Sequence, residues 1–380
     1  MVEKPRIALF VPWLKSKGGV ERVILNLLED KKYNIDVYTF SYQKEKTFEE
    51  FQNFKIFQIG NPGGGTFITK GLNLFRNIIS TKIDGLDKYD VFIISTAGIA
   101  EFSVFRNHHK KTVALTHTPL RAAHTMYDYY KGRSYSYRLV MPGLVWIYRI
   151  LERRAWRKIK YAMVLSDEVK NRLLGYGLIK TDKIIKLGPC ADYSGIHANT
   201  ESKKIIFYPS RFISYKRQDL AVAAFRASGL SKLGFKLVLG GFIEDQRYFD
   251  RLKDTVGKDE SIVLKTNLSE EELKKLYRDC YATIFLAINE DTGLVPLESL
   301  AYGKPVISVN EGGPKEFIKN GINGLLVEAD PESVGEALDK ITDKKLYSRL
   351  KKGALNSPRY DGKGMLKNFD AGIKIILSAK

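Results

Sequence analysis

The chain has 380 residues, of which 44% are hydrophobic and 28% are charged. This length exceeds one typical hydrophobic core and predicts two domains, and the composition excludes a largely disordered protein. The formal net charge of +19 favours an anionic partner, such as nucleic acid, anionic lipid or a phosphorylated metabolite.

Targeting segments and disulfides are not expected. No stretch approaches the roughly 20 apolar residues that cross a bilayer, and the early apolar run Ile7–Leu14 is too short for a signal peptide. The two cysteines, Cys190 and Cys280, lack the CxxC spacing of a zinc or redox site. We therefore expect free thiols in a reducing compartment.

Short β-branched runs alternate with helical stretches along the whole chain. In the first half the predicted strands are Ile7–Pro12, Ile35–Phe40, Lys55–Ile59, Val91–Ser95, Val113–Thr116 and Ala162–Ser166. In the second half they are Lys204–Tyr208, Phe235–Leu239, Ser261–Leu264, Thr283–Leu286, Val306–Val309 and Gly324–Val327. Continuous apolar strands separated by helices indicate parallel sheets covered on both faces. Because the pattern occurs twice, it predicts two doubly wound α/β domains.

The segment Leu187–Thr200 separates the two halves. It contains Gly188, Pro189 and Gly195 and shows no periodicity, which is typical of a connection between domains. We therefore expect one domain at residues 1–189 and another at 190–360. Ligands of open α/β sheets bind beyond the carboxyl ends of the strands, so two facing sheets predict a cleft lined by binding loops.

A polar loop and helix follow the fourth predicted strand of the second half. Glu290 lies in the loop and Glu298 on the helix, and a helical spacing of eight residues would turn both carboxylates towards one ligand. Between them, Asp291, Thr292 and Gly293 would offer backbone N–H groups and a positive helix end to a phosphate or a sugar hydroxyl. Alternatively, Asp291 only caps the helix and Glu298 is a solvated side chain.

Two further segments place polar or flexible residues after strands. Arg211 and Lys216 follow the predicted strand Lys204–Tyr208, where two fixed cations could clamp a diphosphate. Surface solvation is the alternative for both. Near the amino terminus, Gly18 and Gly19 form a turn that permits close approach of a ligand to the backbone, although a plain turn explains them equally well.

Taken together, these segments resemble the retaining glycosyltransferases of family 4, whose two Rossmann-like domains form the GT-B fold. The resemblance covers nearly the whole chain. It rests on the motifs Gly18-Gly19-Val20-Glu21, Thr116-His117-Thr118-Pro119, Ser210-Arg211 through Lys216, Glu290 through Glu298, and Gly312-Gly313-Pro314-x-Glu316. It implies a GT-B fold in which a final helix, residues 361–380, returns to the first domain.

The resemblance also implies roles for individual residues. Arg211 and Lys216 would bind the donor diphosphate, and bond cleavage would make that diphosphate more negative. Glu290 would contact the transferred hexose, and Glu298 would contact the ribose. His117 would lie near the donor sugar, whereas a lone histidine after a strand is otherwise often structural.

Donor binding in the family also involves the backbone around Gly293 and Leu294. The whole implied donor-binding set is Gly18, Gly19, Ser210, Asp291, Thr292, Gly293, Leu294 and Glu298. Two of these positions depart from the family: Ser210 stands where Gly is common, and Thr292 stands where Phe is common. The second exchange would alter how the sugar is packed.

The expected reaction is a retaining hexosyl transfer that uses no metal ion or other cofactor. Retention without an obvious nucleophile indicates same-face displacement, in which the acceptor hydroxyl attacks as the diphosphate leaves. Residues 289–298 and 309–314 are most similar to mannosyltransferases that extend lipid-linked oligosaccharides, and residues 117–121 are similar to O-antigen mannosyltransferases. We therefore expect GDP-mannose as donor, with UDP-glucose or another UDP-hexose as the alternative.

The region 106–160 is basic and rich in tyrosine, with Asp128 and Glu152 as its only acidic residues. Such a surface suits an anionic membrane and a lipid-linked or glycan acceptor, so we expect a cytoplasmic protein peripheral to the membrane. A solvated basic face is the alternative. No nucleic-acid-binding signature is present, so a nucleic-acid-binding protein is not favoured. A sugar-nucleotide binder without catalytic activity is also a less favoured alternative.

Overall fold

The computed structural model describes residues 4–60, 67–191, 193, 196 and 202–379. The chain divides into two compact units. The N-terminal unit comprises Met1–Cys190 and Gly362–Lys380, and the C-terminal unit comprises Ala191–Asp361.

The N-terminal unit is built on a parallel seven-stranded sheet of order β5-β3-β1-β6-β7-β8-β9, with β2 and β4 forming a separate pair. Its strands are β1 (Arg6–Phe10), β2 (Trp13–Leu14), β3 (Asn34–Thr39), β4 (Ser41–Tyr42), β5 (Ile56–Gln58), β6 (Val91–Thr96), β7 (Thr112–Thr116), β8 (Tyr161–Val164) and β9 (Ile184–Lys186). Its first five helices are α1 (Gly19–Glu29), α2 (Phe67–Ser80), α3 (Tyr127–Lys131), α4 (Tyr135–Trp156) and α5 (Asp167–Gly175). All six residues of β6 are buried, as expected for a central strand covered on both faces.

The C-terminal unit repeats this architecture with a parallel six-stranded sheet of order β12-β11-β10-β13-β14-β15. Its strands are β10 (Ile205–Pro209), β11 (Lys236–Gly241), β12 (Ile262–Thr266), β13 (Ala282–Phe285), β14 (Val306–Val309) and β15 (Gly324–Val327). Its helices are α6 (Gln218–Ala227), α7 (Gln246–Val256), α8 (Glu270–Asp279), α9 (Leu294–Ala301), α10 (Pro314–Phe317), α11 (Pro331–Lys340) and α12 (Lys344–Leu355).

The last helix, α13 (Gly362–Ser378), belongs to the N-terminal unit. Its buried face includes Phe369, whose ring meets the edge of Tyr33 at a centroid distance of 5.7 Å. The Tyr33 hydroxyl donates to Asp370 at 2.7 Å, and Nζ of Lys111 donates to the Leu377 carbonyl at 2.6 Å. The amphipathic end of the chain thus completes the core around β1 and α1.

The predicted fold class is confirmed, because each predicted strand overlaps an observed one and both sheets are parallel. The strands β2, β4 and β9 were not predicted; they have only two or three residues and carry little periodic signal. Half of the predicted connection Leu187–Thr200 lies outside the described residues. Cys190 and Cys280 are buried free thiols, as predicted.

Helix α4 differs from the other helices because the first half of it is almost wholly exposed. Its apolar side chains include Leu139 and Trp146, which are 63% and 66% exposed. Its second half turns inward and buries Glu152, Ala155 and Trp156. Within the described residues, no helix has both the length and the apolar character needed to cross a membrane.

Candidate active site

The predicted cations of the C-terminal unit follow β10. The Ser210 N–H donates to the Gly240 carbonyl at 2.8 Å, which ties the end of β10 to β11. Gly241 permits this close approach, because a Cβ there would lie 2.1 Å from the Ser210 carbonyl oxygen. The side chain of Gln218 at the start of α6 donates to the Arg211 carbonyl at 2.7 Å. The backbone that bears Arg211 is therefore fixed from both sides.

Arg211 presents its guanidinium near the surface. One terminal nitrogen forms an ion pair with Glu244, and the other donates to the Tyr215 hydroxyl at 2.9 Å. The side chain remains 41% exposed, so a ligand can approach it. A planar guanidinium held in this way can still offer two parallel hydrogen bonds to a phosphate.

Lys216 and Glu290 are brought together although they are 74 residues apart in the sequence. Nζ of Lys216 is bound to Oε2 of Glu290, and the lysine side chain is only 9% exposed. The rings of Phe285 and Tyr215 lie 5.4 and 5.6 Å from Nζ, which favours the ammonium charge at this partly desolvated position. The Tyr208 hydroxyl also donates to the Lys216 carbonyl, which anchors the turn on β10.

The loop that carries Glu290 is held by the segment after β14. The Gly313 N–H donates to the Glu290 carbonyl at 2.8 Å. Gly312 has φ 64°, and a Cβ there would lie 2.3 Å from the same carbonyl oxygen. A side chain at Gly312 would therefore push the two loops apart.

One ion pair at this edge of the sheet was not predicted. Arg217, which has φ 53°, donates to Glu311 at 3.0 Å and to the Leu286 carbonyl at 3.3 Å. The other oxygen of Glu311 accepts from the Asn289 N–H at 3.3 Å. The position of Glu311 directly before the two glycines was the available signal, but nothing in the sequence identified Arg217 as its partner.

Glu290 lies in the loop and Glu298 on helix α9, as predicted, and the orientation of both carboxylates towards one ligand stays a prediction. Helix α9 begins only at Leu294, because Gly293 adopts φ 84° and turns the chain into the helix. Glu290 therefore lies in the loop before the helix, and its direction is set by Lys216. Glu298 instead accepts a hydrogen bond from the Tyr277 hydroxyl at 2.6 Å.

The other predicted donor-binding residues of this unit surround the start of α9. Asp291, Thr292 and Leu294 are half-buried, and Gly293 is buried. A Cβ on Gly293 would lie 2.8 Å from the Pro314 ring, so glycine is required by packing as well as by φ. The arrangement presents backbone N–H groups at a helix N-terminus that closely follows Glu290 in the sequence, and such groups favour an anionic ligand.

The remaining predicted residues lie in the N-terminal unit. Gly18 precedes α1, and Gly19 is its first residue. The buried carboxylate of Glu21 folds back to accept from the N–H and the hydroxyl of Ser16, at 3.2 and 2.6 Å. A Cβ on Gly18 would lie 2.9 Å from this carboxylate. The glycine turn therefore has a structural cause, and ligand binding there stays a prediction.

His117 directly follows β7. Its N–H donates to the Thr96 carbonyl at 2.9 Å, and its Nε2 lies 2.9 Å from the Ser95 hydroxyl. Burial lowers the pKa of His117 to about 4, so the imidazole is neutral at pH 7. A neutral imidazole can exchange hydrogen bonds with hydroxyl groups but brings no fixed charge.

Among the described residues, the histidine, cysteine, aspartate and glutamate side chains form no group of three that could hold a metal ion. The acidic side chains at the strand ends of the C-terminal unit are instead engaged by Arg211, Lys216 and Arg217.

The C-terminal unit is similar to a known protein family. Residues 192–357 match the family model described as "Glycosyl transferases group 1". The alpha-1,3/1,6-mannosyltransferase ALG2 of Dictyostelium discoideum is 24% identical, over 95% of this chain and 95% of the relative. That of Candida glabrata is also 24% identical, over 99% of this chain and 94% of the relative.

Solved structures show the same fold. The crystal structure of Anabaena Alr3699/HepE in complex with UDP has a TM-score of 0.72 at 15% identity, and the match covers 98% of this chain and all of that one. The predicted GT-B class is thereby confirmed.

Proposed function

We propose that this chain is a glycosyltransferase that transfers mannose from GDP-mannose to a glycan or lipid-linked acceptor, in keeping with the match of residues 192–357 to the group 1 model. The observation that carries the proposal is the Lys216–Glu290 pair, which lies at strand ends beside the start of α9. Support for mannose comes from the two ALG2 relatives, which align with nearly the whole chain and are named mannosyltransferases.

We assign the donor diphosphate to Arg211, Lys216 and the N-terminus of α9. Both cations are held by carboxylates, which fix their positions. A diphosphate would take over or share these cations and would gain from the helix dipole. Charge that develops on the leaving group would then meet donors already in place.

The sugar and the ribose are assigned to the two carboxylates. Glu290 would accept hydroxyl hydrogen bonds from the hexose, and its orientation is fixed by Lys216 and by the Gly313 N–H on its carbonyl. Glu298 would accept from the ribose, and the Tyr277 hydroxyl orients its other oxygen. The role of His117 near the donor sugar stays a prediction, as do the roles of Gly18, Gly19, Ser210 and Thr292.

We propose that transfer proceeds with retention and without a metal ion. Positive charge for the leaving diphosphate would come from Arg211 and Lys216 rather than from a divalent cation. The acceptor hydroxyl would attack on the face from which the diphosphate departs. This stereochemistry rests on the family resemblance.

One experiment tests the donor, the stereochemistry and the metal requirement together. The purified chain is incubated with GDP-mannose or UDP-glucose and a membrane lipid extract, with and without EDTA, and the product is characterised by mass spectrometry and NMR. We expect an α-mannosylated product from GDP-mannose that is insensitive to EDTA. Transfer from UDP-glucose alone would refute GDP-mannose as the donor and support the alternative, a UDP-hexose. A β-linked product would refute retention, and loss of activity in EDTA would refute metal independence.

We also propose that the acceptor is met at an anionic membrane surface. The exposed half of α4 carries Leu139, Leu144 and Trp146, each of which is at least 60% exposed. Basic residues flank it, including Arg138 and Arg149, and no acidic residue lies between Asp128 and Glu152. Apolar side chains bordered by cations fit the boundary between acyl chains and anionic headgroups. The free cysteines support a reducing, cytoplasmic location.

Liposome flotation tests this surface. The wild type should float with anionic vesicles at low salt, and a Leu144→Ser, Trp146→Ser variant should lose most of this binding. The matched control is Leu233→Ser, since Leu233 is 51% exposed in the C-terminal unit and should not affect flotation. Failure of the wild type to bind anionic vesicles would refute the membrane proposal and leave the transferase proposal standing.

A further inference from the structure

Two carboxyl groups in the N-terminal unit are buried against one tyrosine. Glu101 lies in the 3-10 turn after β6 and Glu152 lies on α4, and each is only 1% exposed. The hydroxyl oxygen of Tyr148, also on α4, is 3.2 Å from Oε1 of Glu101 and 3.1 Å from Oε1 of Glu152. It also lies 2.6 Å from the Gly98 carbonyl oxygen. We call Glu101, Tyr148 and Glu152 the tyrosine cluster.

The Tyr148 hydroxyl has one hydrogen but three oxygen neighbours. Tyr148 has a single hydrogen, and its shortest contact gives that hydrogen to the Gly98 carbonyl, which has none to return. An ionised carboxylate would then face a lone pair of the tyrosine oxygen, an arrangement of two acceptors that is costly when buried. At least one carboxyl group must therefore supply its own hydrogen to the tyrosine oxygen.

The second oxygen of each carboxyl group shows which one holds the hydrogen. Oε2 of Glu152 is 2.8 Å from Nε2 of His124, a ring nitrogen that can donate to an ionised carboxylate. Oε2 of Glu101 accepts from the neutral hydroxyl of Thr96. Burial raises the pKa of Glu101 to about 7, whereas burial and the two carboxyl groups keep Tyr148 protonated by raising its pKa. Both lines of argument place the hydrogen on Glu101.

Other charged and titratable groups near the tyrosine cluster have partners of their own. They are His124 stacked on Tyr176 at 4.0 Å, Arg172 paired with Glu168 at 3.1 Å, and Arg149 bound to the Ala123 carbonyl at 2.6 Å. Among the described cations, none forms an ion pair with Glu101. A negative charge on Glu101 would therefore be uncompensated.

The tyrosine cluster is connected through Thr96 and Gly98 to the backbone segment that carries His117. Thr96, which donates to Glu101, accepts the His117 N–H through its carbonyl at 2.9 Å. Gly98, which accepts from Tyr148, has φ 98° and packs so closely on Leu120 that a Cβ would lie 2.2 Å from the Leu120 nitrogen. Thr96 and Gly98 thus contact the cluster on one side and residues 117–120 on the other.

We propose that Glu101 carries a proton in the native protein and, through Tyr148 and Glu152, positions the segment that bears His117 against α4. Loss of this proton leaves two buried carboxylates around one hydroxyl and loosens the segment. Glu101 is a positioning residue, and its effect on turnover rests on the function proposed above for His117.

Glu101→Gln provides the main test, because an amide donates to Tyr148 and accepts from Thr96 as the protonated acid does. The folded wild type keeps a proton that the unfolded chain releases near its ordinary pKa of 4.5, so its stability should fall as pH rises from about 4.5 to 7. Glu101→Gln should melt like the wild type at pH 5, lose this pH dependence, and melt several degrees higher than the wild type at pH 8. Identical melting profiles, or a variant that does not fold, would overturn the proposal.

Glu152→Gln is the matched control. It removes an ionised acceptor from His124, so it should lower the melting temperature without flattening its pH dependence. If Glu152→Gln flattens the profile and Glu101→Gln does not, the assignment of the proton to Glu101 is refuted. Infrared difference spectra of wild type minus Glu101→Gln at pH 5 should also show the carbonyl stretch of a protonated carboxylic acid, and its absence would count against the proposal.

Turnover provides a separate readout. Wild-type turnover should decline as pH rises through about 7, where Glu101 loses its proton, and Glu101→Gln should remove that decline. If the melting and infrared results hold but turnover is unaffected, the proton is present and its proposed effect on turnover through His117 is refuted. Melting and infrared spectra do not require substrate, so they stand even if the proposed transferase reaction is wrong.

Discussion

In the C-terminal unit, cations at the strand ends are paired with carboxylates, as for the partly exposed Arg211 with Glu244 and the largely buried Lys216 with Glu290. In the N-terminal unit, the polar groups after β6 and β7 are buried among neutral partners, and His117 is held uncharged. Both sets follow strands of the same kind of parallel sheet.

The two units thus hold the polar groups that follow their strands in different ways. Ion pairs can exchange a carboxylate for a phosphate with little loss, since the cation keeps an anionic partner. Buried groups avoid ionisation because the low-dielectric interior penalises an unpaired charge. We therefore expect charge-removing substitutions to affect turnover strongly in the C-terminal unit, and protonation to matter in the N-terminal unit.

Among these variants, Lys216→Ala should lower turnover most. If it does not, the proposed contrast between the two units is wrong. The substitution removes a preorganised cation at the proposed diphosphate site, a contribution of about 2.7–4 kcal/mol to the barrier. Turnover should fall about a hundredfold or more. Steady-state kinetics with saturating donor measures this change.

Lys203→Ala is the matched control for that experiment. Lys203 also pairs with a carboxylate, Asp279, at 2.7 Å, but it precedes β10 instead of following it. Its turnover should stay near wild type, and thermal melts should show both variants folded. Near-normal turnover of a folded Lys216→Ala variant would contradict the proposed clamp.

Glu298→Gln should have an intermediate effect. It keeps an acceptor for the Tyr277 hydroxyl but removes the charge proposed to bind the ribose. A hydrogen bond to a charged group is worth about 1.5–3 kcal/mol, so KM for the donor should rise about tenfold or more while kcat changes little. Glu336→Gln, at an exposed pair with Lys340, serves as control. A loss confined to kcat would show that Glu298 acts on the reacting bond instead.

The smallest predicted effect is the contribution of the neutral His117 side chain to stability, which tests how the N-terminal unit holds its buried polar groups. NMR titration, with the resonance assigned through His117→Gln, should give a pKa of about 4. Because the folded protein binds this proton less readily than the unfolded chain, its contribution to stability is lost as pH falls from about 6.5 to 4. A titration of His117 near pH 6.5 would show that burial does not hold it neutral.

The strands illustrate what local sequence could predict. Val306–Val309 and Gly324–Val327 have the observed bounds, because a buried apolar run ends where turn residues begin. Strand β9 was missed, since three residues give no periodic signal. The placement of Glu290 in a loop and Glu298 on a helix was also predicted, but helical spacing does not extend across the loop before Gly293, so the sequence could not give the relative direction of the two carboxylates.

The sequence alone determined the α/β class, the repeated architecture and the candidate residues, because hydrophobic periodicity and motif spacing are local properties. Only the tertiary structure decided which side chains meet. The pairs Lys216–Glu290 and Arg217–Glu311, and the contact of Glu101 with Tyr148, join residues from different elements. Their geometry depends on strand order and on glycines that permit close backbone approach, and no local pattern encodes it.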